Sequence, residues 1–408
     1  MKSVMNYINR HSVADIVGND RTRKYISQVL FYICLAVYMT ASLLQYTSIK
    51  SGYPDFNKLL TQIIGYCVYV AIVNVILFAD YSLIQVVLYV VMMILMYHSY
   101  KNAGTRLVYQ GFVIALSARQ VDWKRLRKVL LYGFGAFIVA GLILYAAGIL
   151  TAFEYYKGER MRLVLGYNHP NVLGCMVMTF GLIWAANYAK RHKIWDYLVL
   201  AALAAFCWFG PMSRTSAISI AFAILVMLIA QFWGERLLDC AFVRWLLSLF
   251  APLCFLLIFG LSYFYTPDSV FFQKINAALS GRVAFGHAFL DKYLHTWMGQ
   301  KIKMVGSAEA QRTGKTNMYL DSAYMRLYVS IGIIGLLIIL FVMIAAMLYA
   351  IRMRDWGLII GLLAYGIYGI SEVYMMYVFF NVFLMGVSYG ELADIKLLMH
   401  RKEKHENL

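Results

Sequence analysis

Glu159-Arg160-Met161-Arg162-Leu163-Val164-Leu165-Gly166-Tyr167-Asn168-His169-Pro170-Asn171-Val172-Leu173-Gly174 is a polar island in an apolar chain. Two arginines, a histidine, two asparagines and a proline that can open a helix stand between the apolar runs 129–150 and 171–189. Each run is long enough to cross a bilayer. Charge is expensive between such segments, so an ionisable cluster there is a functional site by default.

The rest of the chain repeats those flanks. Of 408 residues, 62% are hydrophobic and 14% charged, and the mean hydropathy is +0.67. A soluble core of this length does not need so much apolar surface, which excludes a soluble enzyme and indicates a polytopic membrane protein. A bilayer core takes about twenty apolar residues per helix, and about twelve runs qualify: 26–48, 59–79, 82–98, 105–118, 129–150, 171–189, 194–210, 215–231, 243–265, 323–349, 356–371 and 374–390. The expected fold class is all-α, a membrane helix bundle with one large extracytoplasmic loop. It divides into a cytoplasmic tail (1–25), spans one to nine (26–265), the loop (266–322), spans ten to twelve (323–390) and a second cytoplasmic tail (391–408). Met1 to Lys24 is polar and basic, with no cleavable signal pattern.

Basic residues set the expected orientation. Arg21, Arg23 and Lys24 precede the first span, the run Arg119 to Lys128 follows the fourth, and Lys190, Arg191 and Lys193 follow the sixth. Arg352 and Arg354 follow the tenth, and Arg401, Lys402 and Lys404 end the chain. With an even number of spans all of these are cytoplasmic, as are both termini. The outer segments are also basic, with Arg160, Arg162, Arg214, Lys274, Arg282, Lys292, Lys301, Lys303, Arg312, Lys315 and Arg326 in or beside them. Positive charge kept outside against the usual bias points to an anionic ligand.

The chain carries 37 Lys and Arg against 20 Asp and Glu. These basic residues form short clusters between spans and not one face, so nucleic acid is not an expected partner. Six cysteines lie singly in or beside apolar runs, the pattern of core packing. Within the long loop, 268–279 and 282–297 mix apolar and charged residues at helical spacing, and 300–316 reads as a mobile flap. Gly314-Lys315-Thr316 resembles the end of a P-loop, but Glu309 stands where its first glycine belongs. Gly357 and Gly361 form a GxxxG, read as close helix packing.

Four polar points mark the outer face: Arg160 and Arg162 with Asn168-His169-Pro170-Asn171; Ser213-Arg214-Thr215; Arg282; and Asn317 to Ser322. Three of them open spans, and a helix N-terminus offers unpaired N–H groups and partial positive charge to a phosphate. Ser213 fits a cap for the eighth span, and Asp321 or Ser322 for the tenth. Guanidinium stays protonated and binds two phosphate oxygens at once, so Arg162 and Arg214 indicate a diphosphate site; the plainer alternative, which fits Arg160 better, is an arginine snorkelling to lipid headgroups. His169 is either a base or a cap, and Asp321 either a base for a sugar hydroxyl or a cap. Tyr167, Tyr319, Tyr324 and Trp297 could each stack on a sugar ring, although such residues also line every membrane interface.

In order and spacing, Arg162-x-x-x-Gly166-x-x-His169-Pro170-Asn171-x-x-Gly174, then Ser213-Arg214-Thr215, then Gly281-Arg282, then Asn317-x-Tyr319-Leu320-Asp321-x-x-Tyr324 running into Gly332 resemble the Wzy-type polysaccharide polymerases and O-antigen ligases. The pattern is most similar to the capsule and exopolysaccharide branch. That resemblance implies an inverting, metal-independent glycosyltransferase without cofactor, multi-pass in the bacterial cytoplasmic membrane. It would move a growing glycan from undecaprenyl diphosphate to a lipid-linked oligosaccharide repeat unit at the outer face. Arg162 and Arg214 would grip the diphosphate, with Asp321 and His169 as candidate bases. Arg282 would be a further contact on the external loop. Beside the resemblance, Arg160, Asn171, Asn317, Tyr319 and Tyr324 are the expected substrate contacts. Partners would be the lipid-linked oligosaccharide, the bilayer, and a chain-length regulator or other assembly proteins. O-antigen ligases carry a histidine where this chain has Thr316. Two alternatives stand beside the polymerase: ligase-like transfer to another acceptor, and a flippase or transporter of the lipid-linked oligosaccharide.

Overall fold

The computed structural model describes residues 20–152, 154–157, 160–188, 193–306, 314, 318–391 and 394. The described chain is helical apart from one two-stranded hairpin, Tyr156–Lys157 with Arg160–Met161. Seven of its helices are long and apolar enough to cross a membrane. These are α1 (Asp20–Leu44), α2 (Pro54–Val73, continued as a π-turn to Phe78), α3 (Leu83–Ala103), α5 (Trp123–Ala146), α6 (Pro170–Tyr188), α8 (Arg214–Asp239) and α13 (Ile333–Arg352). An eighth is added if α9 (Ala241–Ser248) and α10 (Phe250–Tyr263), bent by 55° at their junction, count as one span. Helices α4 (Leu107–Leu116), α7 (Ile194–Phe209) and α14 (Trp356–Ser371) are apolar but shorter. The long loop supplies α11 (Val270–Ala278) and α12 (Arg282–Lys292), near the two expected amphipathic segments.

The last expected span, 374–390, is not an α-helix. Two 3₁₀ segments, Val373–Met376 and Val382–Tyr389, replace it, and all their residues are buried. A backbone surrounded by protein instead of lipid can satisfy its carbonyls with side chains. The Tyr365 hydroxyl donates to the Phe380 carbonyl at 2.9 Å, and Asn381 Nδ2 to the Met375 carbonyl at 2.8 Å.

The tenth expected span is interrupted as well. A single turn, Ala323–Arg326, passes into a π-turn, Leu327–Ile331, before Gly332 restarts the chain as α13. Gly332 has φ +95°, and a Cβ there would meet the Gly299 nitrogen at 2.3 Å. Only glycine admits both the conformation and the approach. The long loop is laced into this break, with Ile333 N donating to Thr296 O at 3.0 Å and Gln300 N to Ser330 O at 2.9 Å.

Helices α6, α8 and α14 pack against one another. Gly357 and Gly361 permit close packing of α14: a Cβ on the first would meet the Ala186 carbonyl at 2.5 Å, and on the second the Phe383 ring at 2.4 Å. At the far ends of these helices buried and half-buried ion pairs gather. Arg127 meets Asp355 at 2.9 Å, Arg352 meets Asp394 at 2.7 Å, and Arg119 meets Glu391 at 2.5 Å. Arg354 bonds both Glu235 and Asp239.

Candidate functional site

The opposite end collects the starts of α6, α8 and α12, the turn at Ala323 and the end of α14. Pro170 is the first residue of α6, as its fixed φ and missing N–H favour. Just before it, His169 Nδ1 accepts from the Asn171 N–H at 3.1 Å, the capping role. Burial, then the charges of Arg162 and Arg282, push His169 down to about 4. It is therefore neutral near pH 7 and a weak base.

A chain of bonds runs from this cap through the site. Arg162 Nε donates to the Pro211 carbonyl at 2.9 Å, and its Nη2 to Asn171 Oδ1 at 2.7 Å. Asn171 Nδ2 donates to Glu372 Oε1 at 2.9 Å. Arg282 donates to the same oxygen at 3.1 Å and lies 3.5 Å from Asp321 Oδ2. Burial, the first cause, and the Asp321 charge raise Glu372 to about 8 against the pull of Arg282, Asn171 and Arg162. Asp321 is also raised by burial, with Arg282 and Arg326 opposing. Burial lowers Arg162, with Glu372 acting the other way and Arg282 adding to the fall.

Arg162, Asn171, Arg282 and Glu372 form the shared wall of two cavities. The first, about 400 Å³, adds Arg214 to an apolar side made by Met212, Ile218, Leu279, Ile367 and Ile370. The second, about 640 Å³, adds His169, Asp321, Arg326, Lys50 and the rings of Tyr46, Tyr155, Tyr319, Tyr374 and Tyr377.

The expected site residues separate on this geometry. Arg162, Asn171 and Arg282 come together, joined by Asp321, His169 and Tyr319 on one side and Arg214 on the other. Arg214 is exposed, its guanidinium 5.7 Å from the Trp208 ring centre. Arg160 lies on the exposed hairpin strand and lines neither cavity, whereas Arg162, just past the strand, lines both. Tyr324 is no substrate contact: it is fully buried, its helical turn points it into the core, and its hydroxyl donates to Gly366 O at 3.1 Å. Tyr167 is buried too, and Trp297 is exposed away from both cavities.

Of the two caps expected for the tenth span, Ser322 takes the role, accepting from Met325 N at 3.4 Å, which leaves Asp321 to the cavity. Ser213 precedes α8, but its hydroxyl meets Ser216 Oγ at 2.8 Å and caps no backbone N–H. Asn317, Thr316 and most of the 300–316 flap lie outside the described residues.

Glu372 is the functional candidate that sequence reasoning passed over, and Arg326 was counted only among the outer basic residues. A lone carboxylate between the apolar runs 356–371 and 374–390 was the available signal for Glu372. No family model, curated protein or solved structure matches this chain.

Proposed function

We propose that this membrane protein is a polysaccharide polymerase that passes a growing glycan from undecaprenyl diphosphate to a lipid-linked repeat unit. The carrying observation is the shared wall: one row of arginine, asparagine and carboxylate separates a cationic, apolar cavity from one lined by tyrosines, two carboxyl groups and further basic residues. The first suits a lipid diphosphate, whose oxygens need guanidinium and whose tail needs apolar surface. The second suits a sugar, whose ring stacks on tyrosine and whose hydroxyls meet carboxylates. We place this end of the bundle at the outer face of the bacterial cytoplasmic membrane, following the loop charges, with both termini inside.

In this reading the acceptor hydroxyl loses its proton to the Asp321 carboxylate as its oxygen attacks the anomeric carbon. The bond from that carbon to the diphosphate breaks on the opposite face, and the diphosphate leaves with the electron pair. Arg162, Arg282 and Arg214 stabilise the charge that develops on it, and the two cavities hold the partners in line. His169, neutral and engaged as a cap, orients Asn171 and takes no proton.

The test is the size profile of lipid-linked glycan in host membranes with and without the gene. Collapse of a ladder to single repeat units on the outer face is expected. Accumulation of long lipid-linked polymer would instead assign a ligase, and single units trapped facing the cytoplasm a transporter.

A further inference from the structure

We propose that the second cavity contains a subsite for an anionic acceptor sugar, in which Arg326 binds the sugar's carboxylate. This rests on reading that cavity as the acceptor site, and it adds the acceptor's charge and the residue that selects for it.

Arg326 ends the turn that Ser322 caps, and its guanidinium lies 5.7 Å from the Tyr319 ring centre. Its Nη1 reaches the Tyr319 hydroxyl at only 3.4 Å, and its Nε is wholly buried with no hydrogen-bond partner. Among the described residues no carboxylate oxygen pairs with it. Asp321 feels its charge but lies against Arg282 at 3.5 Å. The contrast with the other end of the bundle lies in the carboxylate and not in the buried Nε, which Arg127 also leaves without a partner: Arg119, Arg127 and Arg352 each hold a carboxylate at 2.5, 2.9 and 2.7 Å respectively. A buried donor left unmatched is destabilising, so such a guanidinium is suited to a ligand that completes it.

The cavity around it has the same imbalance. Lys50, Arg162, Arg282 and Arg326 line it against two carboxylates, Asp321 and Glu372, and both of these engage Arg282. The surrounding wall is aromatic: Tyr46 packs edge-on to Tyr374 with ring centres 6.1 Å apart, and Tyr374 lies 6.4 Å from Tyr377. Tyrosine faces and edges fit the C–H and hydroxyl groups of a sugar ring, while guanidinium matches a carboxylate with two parallel bonds. A uronic acid, or a sugar bearing another carboxylate, supplies both in one residue. A neutral sugar leaves Arg326 unmatched. The donor diphosphate belongs to the first cavity, which Arg326 does not line.

The experiment measures thermal unfolding of the whole protein in lipid nanodiscs with methyl β-glucuronide, methyl β-glucoside or inorganic pyrophosphate. The glucuronide should protect at about tenfold lower concentration than the glucoside, the ratio one charge-assisted bond supplies. Arg326→Gln should abolish that preference and Arg326→Lys should weaken it. Arg214→Ala should leave it intact, because Arg214 lines only the other cavity. Equal protection by the two glycosides, no protection by the glucuronide, or an unchanged preference in Arg326→Gln or Arg326→Lys overturns the proposal. Pyrophosphate protection that disappears in Arg326→Gln also overturns it, in favour of a second diphosphate site. The preference is read without any transfer, so a chain that selects the glucuronide yet builds no polymer would refute the proposed function and leave the subsite standing.

Discussion

Arg162 is held by two neutral acceptors, the Pro211 carbonyl and Asn171 Oδ1, so its charge is oriented without being cancelled. Arg282 differs, since it faces Glu372 and Asp321 together. A carboxyl raised to about 8 holds its proton at neutral pH, which keeps the shared wall positive and ready for an anion. From this follow two predictions about single residues. Arg162→Ala should lower chain growth by about a hundredfold or more while the protein still inserts, as loss of a transition-state donor does. Arg162→Lys should restore little, because an ammonium cannot form the paired bonds of a guanidinium. Full-length polymer from a stably inserted Arg162→Ala variant would refute the diphosphate assignment. The second concerns pH. The folded-state value of Glu372 lies above its ordinary value of 4.5, so its stabilising contribution is whole below that pH and is lost as pH rises through about 8. Melting temperatures of the parent should fall relative to Glu372→Gln across that window, and a constant difference would show that Glu372 is already ionised. Arg162, Asn171, Arg282 and Asp321 were legible in the sequence because polar residues stand out among apolar runs. What linear order hid was their mutual arrangement: Glu372 is 201 positions from the Asn171 that donates to it, and only the fold joins them.

Among the elements, α6 and α8 carry the geometry. A Cβ on Gly174 would lie 2.3 Å from Ser213 Cβ and 2.5 Å from its Oγ, so the glycine lets the start of α8 approach the first turns of α6. Gly174→Ala should therefore displace Arg214 from the first cavity, at a cost of about 1–3 kcal/mol in stability. Activity should fall further than expression does. Ser213→Gly in the same chain removes the clashing atoms and should recover part of the loss, a coupling absent if the two positions act independently. Apolar periodicity located most of these helices, because lipid-length runs have few other uses. It failed at 374–390, where an equally apolar run is wrapped by protein and bends as 3₁₀ turns. Hydropathy registers burial, and burial in protein looks the same as burial in lipid.

For the whole molecule, the two ends of the bundle carry charge in different ways. One end pairs its arginines: Arg119, Arg127, Arg352 and Arg354 each meet a carboxylate. The other leaves Arg162 and Arg214 without a carboxylate partner among the described residues, beside two cavities. A self-neutralised end suits a structural role, and an uncompensated one suits an anionic substrate. Five of the six cysteines are buried, and the exposed one, Cys240, follows Asp239 at the paired end. Helix α8 separates it from Arg214 by about 39 Å at the usual rise per residue, enough to put them on opposite sides of a membrane. Lys50, exposed and lining the second cavity, lies at the end that carries the cavities. If that end faces outward, a membrane-impermeant maleimide should spare Cys240 in intact cells and label it in inside-out vesicles. A Lys50→Cys variant should show the reverse at position 50. Labelling of Cys240 from outside would invert the bundle and turn both cavities toward the cytoplasm, where an outer-face polymerase could not receive its lipid-linked donor.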